Sequence, residues 1–210
     1  MIEGPQNHEK NLTLATFTVA TAIALAGCSA GTGGSSMPGM DHGSASSSGS
    51  AASPAAATAG DHNAADAEFA RMMIPHHAQA VQMSDVILAK NGIPAQVTAL
   101  AGRIKAAQGP EIEEMTGWLK DWNEPAGMSG GHTMNGMVDN EDMTKLEAAQ
   151  GRDAARLFLT HMIAHHQGAV AMAQKEGTDG KNADALKLGK DIVTAQEAEI
   201  KEMQELLGAL

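Results

Sequence analysis

An internal duplication restricts the fold of this chain more than any other feature. Residues 69–83 match 158–172 at an offset of 89 positions with eight identities in fifteen, and residues 104–119 match 192–207 at an offset of 88. The identical residues are Phe69/Phe158, Met73/Met162, Ile74/Ile163, His76/His165, His77/His166, Ala80/Ala169, Val81/Val170, Met83/Met172, Ile104/Ile192, Ala107/Ala195, Gln108/Gln196, Glu111/Glu199, Ile112/Ile200, Glu114/Glu202, Met115/Met203 and Leu119/Leu207. These matches indicate one structural unit used twice.

Each unit has the pattern of two helices joined by a short loop. From Phe69 onward, large apolar residues and the first histidine pair recur at helical spacing on one stripe. Asn91-Gly92 is a typical helix stop, and Pro94 stands where a first-turn proline begins the next helix. That second helix is expected to run to about Trp122. Two such hairpins with short connections most economically form an all-α four-helix bundle.

The second hairpin is expected to begin after a linker. Asp139 is a suitable N-cap for a third helix, which carries the second histidine pair and ends near Gly177. A loop over residues 178–182 leads to a fourth helix that ends at the C-terminus. The predicted bundle therefore occupies residues 61–210.

Composition supports a helical domain and excludes one class of partner. The sequence has no Tyr, three Phe and two Trp but 14 Met, so packing rests on Ala, Leu, Ile, Val and Met, a mixture suited to helices. The formal net charge is -11, and no Lys/Arg cluster capable of neutralising phosphates occurs. We therefore expect no nucleic-acid partner.

The N-terminal segment has the pattern of a lipoprotein signal. Residues 12–27 are uncharged and follow Lys10, and the run ends in a lipobox-like Leu25-Ala26-Gly27-Cys28. We expect residues 1–27 to be removed and Cys28 to carry lipid, which places the protein on the extracytoplasmic face of a bacterial cell membrane. The alternative is an ordinary apolar segment with a chance cysteine, and the run is short for a transmembrane span.

Two predicted flexible segments carry methionine and histidine. Residues 28–60 are rich in Gly, Ser, Ala and Pro and are expected to form a disordered tether. Thioether and imidazole groups gathered on a flexible backbone can capture a soft metal ion, although a generic polar linker is an equal interpretation. The candidate capture residues are Met37, Met40 and His42 in the tether and Met128, His132, Met134 and Met137 in the loop between the hairpins.

The duplicated histidines are the main candidate metal ligands. In an antiparallel hairpin, Gln108 lies at the height of His76 because both are sixteen residues from Gly92, and Glu111 lies one turn further on. The same register applies in the second unit. The candidate ligands are His76, His77, His165, His166, Met73, Met162, His161 and Met72, with Gln108, Glu111, Gln196 and Glu199 as second-sphere groups or additional ligands.

Nitrogen and sulfur donors together favour copper, above all Cu(I), over ions that prefer oxygen, although another transition metal is an alternative. Other interpretations of these residues stay open. A methionine stripe commonly fills a core, and the glutamates could be hydrogen-bonded to the imidazoles without any metal. Pro75 and Pro110 lie inside predicted helices, where each removes one backbone hydrogen bond and sets either curvature or a functional bend.

The repeated segments resemble the DUF305 family, whose hallmark is M-[IV]-x-H-H-x-x-A-[IV]-x-M followed by a helix with Q-x-x-E-I-x-x-M. This sequence carries both segments twice, at residues 73–83, 108–115, 162–172 and 196–203. The resemblance covers about residues 61–210 and implies a ferritin-like four-helix bundle, exported in bacteria, with copper binding in some members. Inside the repeat the two units differ at Pro75 and Ala164.

The leading functional expectation is a lipid-anchored, non-catalytic protein that sequesters copper or passes it to a copper-handling partner protein. One alternative is a ferritin-like metal-dependent oxidoreductase. The residues three positions before the paired histidines are Met73, Ile74, Met162 and Ile163, so the Glu-x-x-His motif of di-iron bundles is missing there. A second alternative is a metal-free interaction bundle in the cell envelope.

Overall fold

A computed structural model describes residues 61–127 and 134–210. In these two ranges it contains no strand and has five helices: α1 (Ala64–Leu88), α2 (Ala95–Asp121), α3 (Asn140–Ala148), α4 (Gly151–Asp179) and α5 (Ala183–Ala209). Helix α1 packs on α2, α4 packs on α5, and α1 joins the two hairpins by packing on α4. The predicted all-α architecture of two duplicated hairpins is confirmed. The predicted signal segment, Cys28 and the tether lie outside the described residues.

The start of α1 is set by a capping box. The Asn63 side chain accepts hydrogen bonds from the backbone N–H groups of Ala65 and Asp66, and the Asp66 carboxylate accepts from the Asn63 N–H at 2.5 Å. These bonds satisfy donors that the first helical turn leaves without intrahelical partners. The helix therefore begins two residues before Asp66, close to its predicted start.

The first hairpin follows the predicted boundaries. Helix α1 ends at Leu88, Gly92 adopts a left-handed φ of 73°, and Pro94 immediately precedes α2. Gly tolerates this backbone conformation because it lacks a Cβ. Pro75 and Pro110 both lie inside continuous helices. No helix in the described part of the chain is long and apolar enough to cross a membrane.

The single third helix expected after Asp139 is wrong. Asp139 does cap a helix, because its side chain accepts from the Asp142 N–H at 2.8 Å, but this helix is the nine-residue α3. Ala149 and Gln150 are extended, and α4 then begins at Gly151 with a left-handed φ of 53°. Beside the break, the Lys90 ammonium, from the loop of the first hairpin, donates to the Glu147 carbonyl. Helix α4 runs to Asp179, so the following loop is shorter than expected.

The core consists of two hydrophobic clusters that occupy different heights of the bundle. One contains residues such as Met83, Ile87 and Leu159, and the other contains residues such as Met73 and Leu119. Along α1 and along α4, a histidine pair separates the residues of one cluster from those of the other. The bundle therefore has a polar layer between two apolar blocks.

A pair of carboxyl groups joins the start of α1 to the end of α4. Asp66 accepts hydrogen bonds from the backbone N–H groups of Lys181 and Asn182 at 2.8 and 2.9 Å. Burial would raise the pKa of Asp66, but these and other hydrogen bonds lower it. Glu176 is 2% exposed, and burial, followed by its contact with Asp66, raises its pKa to about 8. The pair is therefore expected to share one proton at neutral pH.

Replacing Glu176 by Gln should change how stability depends on pH. The folded chain holds a proton on Glu176 up to about pH 8, whereas the ordinary pKa is 4.5, so this contribution to stability is complete below pH 4.5 and is lost as pH rises through 8. Between pH 6.5 and 8, the wild type should lose about 1–2 kcal/mol of unfolding free energy relative to Glu176→Gln. Urea unfolding with a chelator present measures the difference. Parallel pH dependences in the two proteins would contradict the assignment.

Candidate functional site

The four histidines of the repeated motif form one buried layer where α1 meets α4. His76, His77 and His166 are 0% exposed and His165 is 1% exposed. The rings of the repeat partners His76 and His165 are in contact, with centroids 3.7 Å apart and planes tilted by 38°. The ring centroids of His165 and His166 lie 6.5 Å apart. The duplication thus produces one shared imidazole layer instead of two separated pairs.

Each hairpin holds its second histidine with a glutamate from the facing helix. His77 Nε2 lies 2.8 Å from Glu111 Oε2 and His166 Nε2 lies 2.7 Å from Glu199 Oε2. An ionised carboxylate only accepts hydrogen bonds, so the Nε2 atoms are the protonated nitrogens. The Nδ1 lone pair of each imidazole is then available to a ligand.

The linker between the hairpins covers the first histidine of α1. His76 Nε2 donates to the Asn135 carbonyl at 3.3 Å, because a carbonyl oxygen can only accept. The Gln79 side chain fixes this segment by donating to the Val138 carbonyl and accepting from the Val138 N–H, each at 2.8 Å. The linker therefore orients His76, as the glutamates orient His77 and His166.

Several polar atoms of this layer are buried without a hydrogen-bond partner. Buried polar atoms are usually paired, so a concentration of unpaired ones indicates a binding site. These atoms are Nδ1 of His76, His77 and His166, both ring nitrogens of His165, and Oε1 of Gln108 and Gln196. Every one of the four imidazoles therefore offers at least one free nitrogen.

Burial keeps the two central imidazoles neutral. Desolvation, reinforced by the neighbouring His77, lowers the pKa of His76 to about 4. Desolvation, reinforced by His76, lowers the pKa of His165 to about 2. Neutral imidazole is the form that ligates a metal, so neither ring has to lose a proton at neutral pH.

The predicted thioether ligands lie in different environments. Met73 and Met162 are fully buried, each in one of the two hydrophobic clusters. Met72 is half-buried and lines a cavity with Phe69 and Met172. These positions are compatible with packing as well as with ligation.

The other predicted ligands lie outside the imidazole layer or outside the described ranges. His161 is half-buried with an unpaired Nε2. The pKa of Asp142 is lowered mainly by its hydrogen bond from Lys145, with a smaller contribution from His161. Met134 and Met137 are half-buried in the linker. Met37, Met40, His42, Met128 and His132 lie outside the described residues.

No three His, Cys, Asp or Glu side chains in residues 61–127 and 134–210 converge as a ready metal site. The imidazole layer nevertheless fits a metal by its chemistry, since neutral nitrogens with free lone pairs lie together in a buried space. A full coordination sphere would require small side-chain rotations or a thioether donor. The layer offers donors to a soft or borderline ion and few charges to a hard one.

The two repeat units differ where the linker crosses them. Gln79 and Gly168 occupy equivalent positions, yet Gln79 binds the linker backbone while Gly168 leaves room for it. A Cβ on Gly168 would overlap the Asn135 carbonyl, and one on Gly136 would overlap the Ala164 carbonyl. These linker contacts were not predicted from the sequence. The difference between Gln79 and Gly168, at equivalent positions of the repeat, was the signal in the sequence that could have indicated them.

Comparison with known proteins decides the family. The model of a domain of unknown function, DUF305, matches residues 66–207. The chain belongs to the DUF305 family. No protein with a curated description matches it.

Solved DUF305 proteins share the fold. A Streptomyces coelicolor DUF305 protein predicted to be secreted is 34% identical, with 69% of this chain and 93% of that chain covered and a TM-score of 0.66. A DUF305 fragment from Deinococcus radiodurans is 30% identical, with 70% and 98% covered and a TM-score of 0.65. CopM in its Cu(II)-bound form is 36% identical, with 69% and 96% covered and a TM-score of 0.60. Other CopM structures contain Cu(I) or Ag.

Substituting Gly168 by Ala should disturb the linker over the imidazole layer of this DUF305 protein. The new methyl group would overlap Asn135 and lie 3.2 Å from His76 Nε2, so unfolding free energy should fall by about 1–3 kcal/mol. Hydrogen exchange of the Val138 amide should also accelerate. The matched control is Gly102→Ala inside α2, where a Cβ meets nothing within 4 Å and stability should rise by about 0.5–1 kcal/mol. Equal responses at the two glycines would exclude a close backbone contact at Gly168.

Proposed function

We propose that this protein binds copper in the imidazole layer and sequesters it or passes it to a partner outside the cytoplasmic membrane. The observation that carries the proposal is the group of buried imidazoles with unpaired nitrogens at the contact of α1 with α4. His76, His77, His165 and His166 are the proposed nitrogen ligands. Met73 and Met162 are the proposed thioether ligands, one turn before the paired histidines.

The donor set supports copper over the hard divalent ions. Imidazole and thioether groups are ligands of copper, whereas Mg²⁺ and Ca²⁺ take oxygen. Cu(I) also tolerates low coordination numbers, which suits a layer that has no converged group of three ionisable ligands among the described residues. The structures of the relative CopM with Cu(I), Cu(II) and Ag support the same class of ion for this chain.

The glutamates are proposed to orient the layer instead of supplying most of its ligands. Glu111 and Glu199 remain about one-quarter and one-fifth exposed at the edge of the bundle, and each holds one imidazole Nε2–H. That hydrogen bond fixes the tautomer and leaves Nδ1 for the ion. Gln108 and Gln196, each with an unpaired oxygen, are proposed as additional donors to the ion or to a ligand water.

The methionines and histidines of the tether and linker are proposed to capture copper before it reaches the bundle. Met134 and Met137 flank Asn135, whose carbonyl accepts from His76, so an ion held in the linker would already be close to the layer. The other capture residues proposed are Met37, Met40, His42, Met128 and His132. His161 and Met72 remain candidate auxiliary ligands.

Removing the imidazoles should remove copper binding. Full-length metal-free protein titrated with Cu(I) against a competing chromophoric chelator should bind copper, and the variant with Ala at positions 76, 77, 165 and 166 should lose this site. The milder Glu111→Gln should weaken binding by about 10–100-fold, because it leaves the ligands in place and replaces the charged acceptor of His77 by a weaker, neutral amide. His62→Ala is the matched control, since His62 stacks on Trp122 outside the layer. Unchanged stoichiometry in the folded fourfold variant would disprove the site.

Export and lipid anchoring complete the proposal. The lipobox-like Leu25–Cys28 motivates it, and the predicted secretion of the Streptomyces coelicolor relative supports an extracytoplasmic location. In a bacterial host, the wild type should partition into the detergent phase with a lipid-modified Cys28 that mass spectrometry detects. Cys28→Ala should leave the protein in the aqueous phase. An unmodified, aqueous wild-type protein would contradict the anchor.

A non-catalytic role is proposed over a di-metal oxidase. Glu111 and Glu199 are the carboxylates that contact the histidine layer, and each is engaged by an imidazole. Di-iron bundles use more carboxylates, with Glu-x-x-His on facing helices. Oxygen consumption after addition of Fe(II) to the metal-free protein would favour the oxidase, and the absence of any bound metal or thermal shift with copper would favour a metal-free interaction bundle.

A further inference from the structure

A second candidate site lies between the first half of α1 and the last half of α4. It is a cavity of about 230 Å³ with a mouth open to solvent. Its walls are mainly apolar, and the residues that matter are Phe69, Met72, Met172, Glu68, Lys175 and Glu176. None of the four layer histidines lines it.

The polar group of this cavity is a buried carboxyl. Glu176 is 2% exposed, and neither of its oxygens accepts from an N–H or hydroxyl donor. Its polar contact is the carboxyl of Asp66, which is a hydrogen bond only while one of the two carries a proton. With one shared proton, the pair keeps one negative charge and an oxygen without a donor. Such a group favours a ligand that donates hydrogen bonds.

The charges around the cavity favour a cation. Glu68 and the Asp66–Glu176 pair are acidic, and Lys175 is the basic residue of the lining. The Lys175 ammonium, however, lies 3.1 Å from the Asp179 carboxylate, on a side chain that is 60% exposed. The residues around the cavity therefore carry a net negative charge, and the one basic side chain in its lining, Lys175, is already paired with a carboxylate.

The duplication provides an internal comparison for the carboxyl pair. At an offset of 89, the equivalents of Asp66 and Glu176 are Ala155 and Ile87. Both are apolar and 0% exposed, so the same fold is built there without buried carboxyls. Because the equivalent positions of the same bundle are filled by apolar side chains, packing alone does not require the acidic pair at this end.

We propose that this cavity binds a small organic cation, a primary ammonium group on a compact apolar body. The ammonium would donate to Glu176, and the body would lie against the Phe69 ring and the two methionine side chains. A cavity of about 150 Å³ holds benzene, so this one has room for a phenyl-sized body and an ammonium group. Of the proposed copper ligands, only the auxiliary candidate Met72 lines this cavity, and none of the four layer histidines does.

Methionine methyl NMR on the full-length, metal-free chain tests the proposal. Benzylammonium should shift the 13C-methyl signals of Met72 and Met172, assigned by single Met→Leu variants, with a dissociation constant on the order of millimolar for so small a ligand. Benzyl alcohol, the neutral isostere, should bind at least tenfold more weakly, because it does not pair with the carboxyl charge. Met83, the repeat equivalent of Met172, should not shift.

Two variants separate the carboxyl from the cavity shape. Measured above about pH 8, where Glu176 is ionised, Glu176→Gln should weaken benzylammonium at least tenfold and leave benzyl alcohol unchanged. Glu176→Ile, which copies Ile87, should abolish the preference for the cation, and its thermal unfolding shows whether it is folded. Glu68→Gln at the exposed rim is the matched control and should change affinity less than Glu176→Gln. Equal binding of both probes by the wild type, or no methyl shifts, would overturn the proposal. Methyl shifts with Ag(I) and none with benzylammonium would assign a soft-metal site instead.

Discussion

The packing of α1 against α4 is the contact on which the rest of the molecule depends. Within each hairpin the two helices pack on each other. The two hairpins meet mainly through α1 and α4, with far less contact between α2 and α5. Equivalent helices meeting in this way bring equivalent residues together, as with His76 and His165. The two apolar blocks above and below the layer bury hydrophobic surface, which offsets the cost of burying the polar imidazoles.

The hairpins were predictable from sequence because their determinants are local. Helical periodicity, Gly92 and Pro94 define the first hairpin, and the repeat transfers it to the second. The division of the third helix was missed, although Gly151, which has a left-handed φ of 53° at the start of α4, was a local signal for it. Ala149 and Gln150 have no strong helix-breaking chemistry, and their extended conformation is found beside tertiary contacts such as that of Lys90 with Glu147.

The candidate site was only partly predictable, because local spacing can be read from the sequence and contacts between distant segments cannot. Counting residues on either side of the short loop places Glu111 on the facing helix, one turn from the height of His76, and the structure shows that its partner is His77. The acceptor of His76 is a backbone carbonyl from a distant linker, which no spacing rule identifies. The acidic pair of Asp66 and Glu176 likewise depends on how two helix ends meet. What the repeat could have revealed is where its two copies disagree.

One of those disagreements, Gln79 against Gly168, has a geometric origin in the linker. A duplicated domain has two equivalent halves but a single segment connecting them, and one segment cannot meet two equivalent surfaces in the same way. The half that hydrogen-bonds the linker and the half that leaves space for it must then carry different residues. Asymmetry between the two histidine environments is therefore a consequence of fusing the copies into one chain. A symmetric assembly of two separate hairpins would not be subject to it.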